Sequence, residues 1–243
     1  MAILLLPDVQ TYSSYTARYA GNNSQQDNYP FSNCTADRAK MWLEWRSGYS
    51  SSLTHDITIS TDLANATGLA MIGCNFQTIT VSSQTKTLSY NATTGDYNGF
   101  FQVLLPSGTA FQIPAQTVAD GYFRCKAIIL GVRNPYNYYS PRYPLKGEVE
   151  HSRIAPTLMS GLSRITKGAE RKSYFVLDCA PHYSALISNA VSMAMTTMPM
   201  QTRVAITFEE VAGETHYCQR VSELELTENA YMQYQMQLVF KEL

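Results

Sequence analysis

Hydrophobic and polar positions change rhythm along this chain, and the changes divide it. From Asp56 to Val132, short apolar or alternating runs recur about every ten residues, the spacing of a sandwich or barrel of short strands. The pattern predicts strands at Asp56–Ser60, Leu69–Phe76, Thr87–Asn91, Phe100–Leu105, Gln112–Gln116 and Tyr122–Val132. Between them, Asn65–Gly68, Thr94–Asp96, Pro106–Gly108 and Asp120–Gly121 carry the residues that turns favour. The run Leu69–Cys74 is apolar on both faces, which predicts a central strand covered on both sides. Met71, Ile72, Phe101, Val103, Ile128 and Leu130 are expected in the core of this domain.

The flanks read differently. Residues 1–55 are expected to form an N-terminal arm and the first strands. Ile3–Leu6 reads as a short buried strand, the polar segment that follows it through Tyr19–Ser24 has little periodicity, and Thr35–Trp45 reads as a helical turn or irregular arm. Residues 133–153 hold Tyr136, Tyr138, Tyr139 and Tyr143 among Pro135, Pro141 and Pro144. Proline at this density blocks regular structure, so this segment is read as an ordered connector whose aromatic residues seek burial. Residues 154–243 read as α+β. A strand at Ser173–Cys179 is followed by Pro181 at a first helical position, then by Leu186, Ile187, Ala190, Val191 and Ala194 at helical spacing. A strand at Arg203–Val211 follows. In a long terminal strand, Met232, Tyr234, Met236, Leu238 and Phe240 alternate with Gln233, Gln235, Gln237, Val239 and Lys241. The predicted fold is mainly β, α+β overall: a β-sandwich over 56–132, then a smaller α+β domain over 154–243.

Composition narrows the function. Of 243 residues only 15% are charged, against about 25% in ordinary soluble domains, and the net charge is −1. Without a basic excess to neutralise phosphates, nucleic-acid binding is excluded as a main task. No apolar run approaches the ~18–20 residues of a membrane span, and no secretion signal is visible, so no membrane insertion is expected. Cys34, Cys74, Cys125, Cys179 and Cys218 are odd in number and widely spaced, which predicts free, buried thiols. A neutral surface rich in Tyr and amides suits lasting contact with other protein.

Chemistry is sparse. The four histidines (His55, His151, His182, His216) form no metalloprotease motif, and no nucleophile elbow, P-loop or dinucleotide loop occurs, so the chain is read as a non-enzyme without cofactors. Cys179 and His182 with His216 and Cys218 offer two Cys and two His. The tight His-x-Cys half favours buried thiols and surface imidazoles over zinc, so no metal is expected. Asp96 and Asp120 are read as turn residues. Trp42 and Trp45 are weighed as a sugar platform against packing, with packing favoured. Gln233, Gln235 and Gln237 share one strand face, where amides can bond across an interface without desolvating a charge. Interface or glycan contact is thus assigned to these three glutamines, the two tryptophans and the four connector tyrosines.

Four segments carry a resemblance. Asn28–Asp37, then Trp42–Ser47 with its Trp45-Arg46-Ser47, then His55–Ser60, then Gly68–Phe76 with Ile72-Gly73-Cys74-Asn75, are similar to the start of tail proteins of tailed bacteriophages. In that family an ordered arm precedes a galactose-binding-like jelly-roll sandwich, whose central strand commonly ends in an Ile-Gly-His-Asn-like motif; here Cys74 stands at the His position. Residues 154–243 look like the partner domain. The resemblance implies a structural subunit of the virion tail or tail tip, made in the host cytoplasm. It would act by homo-oligomeric assembly into a ring or tube and by contact with neighbouring tail proteins. The alternative is a carbohydrate-binding module that recognises a host-surface glycan.

Overall fold

The computed structural model describes residues 3–8, 12–35, 43–92, 94–132, 134–135, 150–152, 170–172, 174–183, 195–196, 198–208, 215–223, 225–230 and 233–243. The chain divides into two compact units. One comprises Met1–Tyr138 with Thr202–Tyr217, the other Tyr139–Gln201 with Cys218–Leu243. In order, the elements begin with β1 (Ile3–Pro7), β2 (Tyr12–Tyr19), β3 (Asn22–Asn23), α1 (Ser32–Thr35), β4 (Trp45–Ser50) and β5 (His55–Cys74). Next come β6 (Thr78–Val81), β7 (Gln84–Thr87), β8 (Ser89–Asn91), β9 (Asp96–Ile113), β10 (Tyr122–Cys125), β11 (Ala127–Gly131) and β12 (Asn134–Pro135). The last are β13 (Glu150–Ser152), β14 (Glu170–Lys172), β15 (Tyr174–Tyr183), β16 (Arg203–Phe208), β17 (Thr215–Arg220), β18 (Glu225–Ala230) and β19 (Gln233–Glu242).

The first unit is an antiparallel, sandwich-like assembly, and β5 explains why. At its start the strand alternates: His55, Ile57 and Ile59 are buried while Asp56 and Thr58 face solvent. From Ala66 to Cys74 it is buried or nearly so throughout, as the two-sided apolar run requires. Leu69 and Met71 join one core with Ile57, Ile59, Trp45, Phe101, Phe111, Phe123, Ile128 and Leu130. Ala70 and Ile72 point the other way, into a layer with Leu6, Ala127, Ile129, Ala205 and Tyr217. The main sheet runs β3-β2-β5-β9-β6-β7, with β11 on β5 and β8 on β9. A β4–β10 ribbon carries Trp45, Phe123 and Cys125 into the first core, and β1, β16 and β17 supply the second layer. The expected core is thus found at Met71, Ile72, Phe101, Ile128 and Leu130, while the side chain of Val103 lies outside the described set.

Two expected turns are instead parts of strands. Asn65–Gly68 and Pro106–Gly108 lie inside β5 and β9, which pair from His55↔Ile113 to Cys74↔Tyr97. Between Ser60↔Gly108 and Asn65↔Pro106, β5 advances further than β9, so the turn-forming residues mark an irregularity in a continuous ladder. The turns at Thr94–Asp96 and Asp120–Gly121 are present, with Gly95 and Gly121 both at φ +73°. The polar stretch Tyr12–Tyr19, which shows little periodicity, is strand β2, and the β6–β7 hairpin also escapes the pattern. Of the connector 133–153, only Asn134–Pro135 and Glu150–Ser152 are described, each as a short strand.

In the second unit, β19 pairs with β15 along one side, and with β18 and the end of β17 along the other. Pro181 does not open a helix. It lies within β15, where the register shifts between Cys179 and His182, a position that tolerates a missing N–H donor. The expected helix over 184–195 falls almost wholly outside the described residues.

Candidate functional site

The sequence-assigned residues divide three ways. Trp42, Tyr136, Tyr138, Tyr139 and Tyr143 lie outside the described residues. Trp45 is fully buried. Its Nε1 donates to the Ser24 carbonyl at 3.0 Å and its ring meets Phe31 edge-on at 5.3 Å, so it closes the core and offers no platform to a sugar. Gln233, Gln235 and Gln237 lie on β19, an inner strand, opposite Tyr183, Thr227 and Asp178 respectively on its two neighbours. They therefore form a row on a sheet face and not at a sheet edge; their side chains lie outside the described set.

The edge belongs to β15. This ten-residue strand pairs with β19 in unbroken register from Tyr174↔Lys241 to Cys179↔Met236. Among the described residues it has no partner on its other side. In an antiparallel strand alternate residues aim both N–H and C=O at one neighbour, so half of these groups along Tyr174–Cys179 point away from β19. An open edge of this kind is a template for another strand.

The zinc arrangement does not assemble across these strands. Cys179 stands opposite Met236 and Cys218 opposite Glu242, on opposite sides of β19 and roughly 20 Å apart along it at the usual strand rise. Cys34, Cys74, Cys125 and Cys218 are free and buried. Cys74 Sγ lies 3.3 Å from Cys125 Sγ, and burial first, then that neighbour, holds its pKa well above the usual thiol value. It fills a packing position in the first core.

The neighbours of Cys74 act as staples. The Gly73 N–H donates to Asn98 Oδ1 at 2.8 Å, and Asn98 Nδ2 donates to the Thr215 carbonyl at 3.0 Å. Gly73 has φ +66°, and a Cβ there would meet the Lys126 side chain at 2.5 Å. Asn75 Nδ2 donates to Asp120 and to the Tyr122 carbonyl, while its Oδ1 accepts the Arg124 N–H at 2.9 Å.

A charge network that sequence reasoning missed surrounds this motif. The buried Asp96 carboxylate holds Arg124 and Lys126, each at 2.7 Å, so it is far more than a turn residue. Arg124 also reaches Asp120 at 3.3 Å and Glu44 at 3.6 Å. Burial opposes its charge, but Asp96 and then Glu44 outweigh that and raise its pKa. Across the ribbon, Arg46 pairs with Glu44 at 2.7 Å and stacks 3.7 Å over the Tyr29 ring. Every charge in the network is matched, which suits a structural clamp between β4, β9 and β10. The only signal available in sequence was the cross-strand neighbourhood itself, which needs the fold. No family model, no curated protein and no solved structure matches this chain.

Proposed function

We propose that the chain is a structural subunit of a bacteriophage tail or tail tip that works by assembly and not by catalysis. Its partners in this reading are further copies of itself, in a ring or tube, and neighbouring tail proteins; its place is the virion tail. The observation that carries the reading is the Tyr174–Cys179 edge of β15, which has no partner strand among the described residues. Phe175, Val176 and Leu177 occupy it with only Asp178 charged, so it lacks the lysines that commonly guard an edge. Each backbone hydrogen bond made by an added strand contributes about 0.5–1.5 kcal/mol net, and several in register sum to a specific contact. The low charge of the chain and the tail-like segments 28–37, 42–47, 55–60 and 68–76 support the same reading.

Val176→Pro and Leu177→Pro test it as a pair. One of these consecutive residues aims its N–H at β19 and the other away, so proline breaks the native ladder in one variant and blanks the free edge in the other. The edge-facing variant is expected to fold with an unchanged melting profile and to lose the assembled particles that this reading expects in electron micrographs of the parent chain. Particles of undiminished number from both folded variants would refute strand addition at this edge.

A further inference from the structure

A cleft of about 460 Å³ opens beside the β2–β3 hairpin, lined by Tyr15, Arg18, Asn22, Asn23, Gln25 and Phe31. That volume is within the roughly 300–1,000 Å³ of small-molecule sites. The hairpin is closed by Ala20 and Gly21, both at positive φ, which sets Arg18 opposite Asn23 and Tyr19 opposite Asn22. The two-residue turn fixes the register of the two strands and so which side chains stand side by side here.

The polar groups here are unspent. Arg18, Asn22 and Asn23 are exposed, and among the described residues none of their side chains has a hydrogen-bond or ion-pair partner. Asp56 is the cross-strand neighbour of Arg18, yet its carboxylate accepts Gln112 Nε2 at 2.8 Å and forms no ion pair with the guanidinium. Gln25 Oε1 accepts the Phe31 N–H at 3.0 Å, which fixes that amide with its NH₂ still available. Gly48 lets this segment lie close, since a Cβ there would stand 2.8 Å from the Gln25 carbonyl oxygen. Tyr15 is the half-buried aromatic of the lining, its ring 6.3 Å from that of Phe31, which is itself buried in the core.

A half-buried tyrosine ring, several amides and one exposed guanidinium with no ion pair among the described residues match one ligand chemistry. Sugar rings present an apolar C–H face and adjacent hydroxyls that planar amides can donate to and accept from. The guanidinium fork fits a carboxylate in bidentate fashion. Asp56 beside Arg18 favours a single negative charge over a phosphate dianion. We propose that this cleft binds a carboxylate-bearing sugar residue of a surface polysaccharide. The site uses none of the tryptophans or connector tyrosines that the sequence singled out. It lies in the first unit and the β15 edge in the second, so failure of either proposal leaves the other standing.

Saturation-transfer NMR on the full chain tests it, with glucuronic acid, galacturonic acid and N-acetylneuraminic acid as probes, and glucose and acetate as controls. At least one acidic sugar is expected to give a saturable signal about tenfold tighter than glucose, with no signal from acetate. Arg18→Gln is expected to reduce that sugar to the glucose level, and Asn23→Ala to weaken both, each with an unchanged melting temperature. Absence of saturable binding by all three acidic sugars would overturn the proposal. So would acidic-sugar binding that Arg18→Gln leaves intact, or acetate binding as tightly as the sugars.

Discussion

Asn75 joins strands with one side chain, since its amide bonds Asp120 and the Tyr122 carbonyl while accepting from Arg124. Roles of this kind were only half legible. The sequence marks Gly73–Asn75 as a motif, and the structure gives each residue a structural task, with Cys74 buried against Cys125. Trp45 was legible as an aromatic of consequence; its burial was not, because that depends on Ser24 and Phe31 approaching from elsewhere in the chain. His55 yields a prediction at this scale. It is buried between Tyr19 and Phe123, and neither ring nitrogen has a hydrogen-bond partner among the described residues. Burial lowers its pKa below the ordinary 6.5, and the neighbouring Asp56 offsets this only in part. The unfolded chain therefore takes up the proton first. The stability His55 confers is complete above about pH 6.5 and is lost as pH falls below it, by up to about 1.4 kcal/mol per pH unit. Thermal melts of the parent and His55→Phe between pH 8 and pH 5 check this. The parent's melting temperature is expected to fall more steeply below pH 6.5, and parallel curves would contradict it.

Strand β5 shows what pattern alone can and cannot give at the scale of elements. Its two-sided apolar segment was legible, because burial on both faces leaves no other composition for residues 69–74. Its length was not, because Asn65, Gly68, Pro106 and Gly108 look like chain reversals when they are irregularities in the β5–β9 ladder. The β6–β7 hairpin was missed for the opposite reason. Ser82 and Ser83 take φ +48° and +63° in a two-residue turn that normally calls for Asn-Gly, so no turn signal stood there. Ile72→Asp places an unpaired carboxylate against Leu6, Ala127 and Ile129, at a cost of several kcal/mol. Loss of the cooperative melt is the expected outcome, and a soluble, cooperatively folding variant would contradict the central position of β5. Gly48→Ala is milder. Overpacking against the Gln25 backbone is expected to cost about 1–3 kcal/mol, visible as a lowered denaturation midpoint.

Across the whole molecule, the path of the chain was the least legible property. Thr202–Tyr217 belongs to the first unit although Tyr139–Gln201 and Cys218–Leu243 form the second, so the chain leaves the first unit, returns and leaves again. Linear composition cannot show this, because β16 and the start of β17 complete a layer begun by β1 some two hundred residues earlier. What composition did show was a chain with few charges, and together with a β15 edge that has no partner strand among the described residues this supports the proposal of assembly. Multi-angle light scattering on the full chain over a hundredfold range of concentration tests that statement most directly. The expected result is a mass that rises with concentration to a discrete multiple of 27.2 kDa, and a constant 27.2 kDa at every concentration would contradict it.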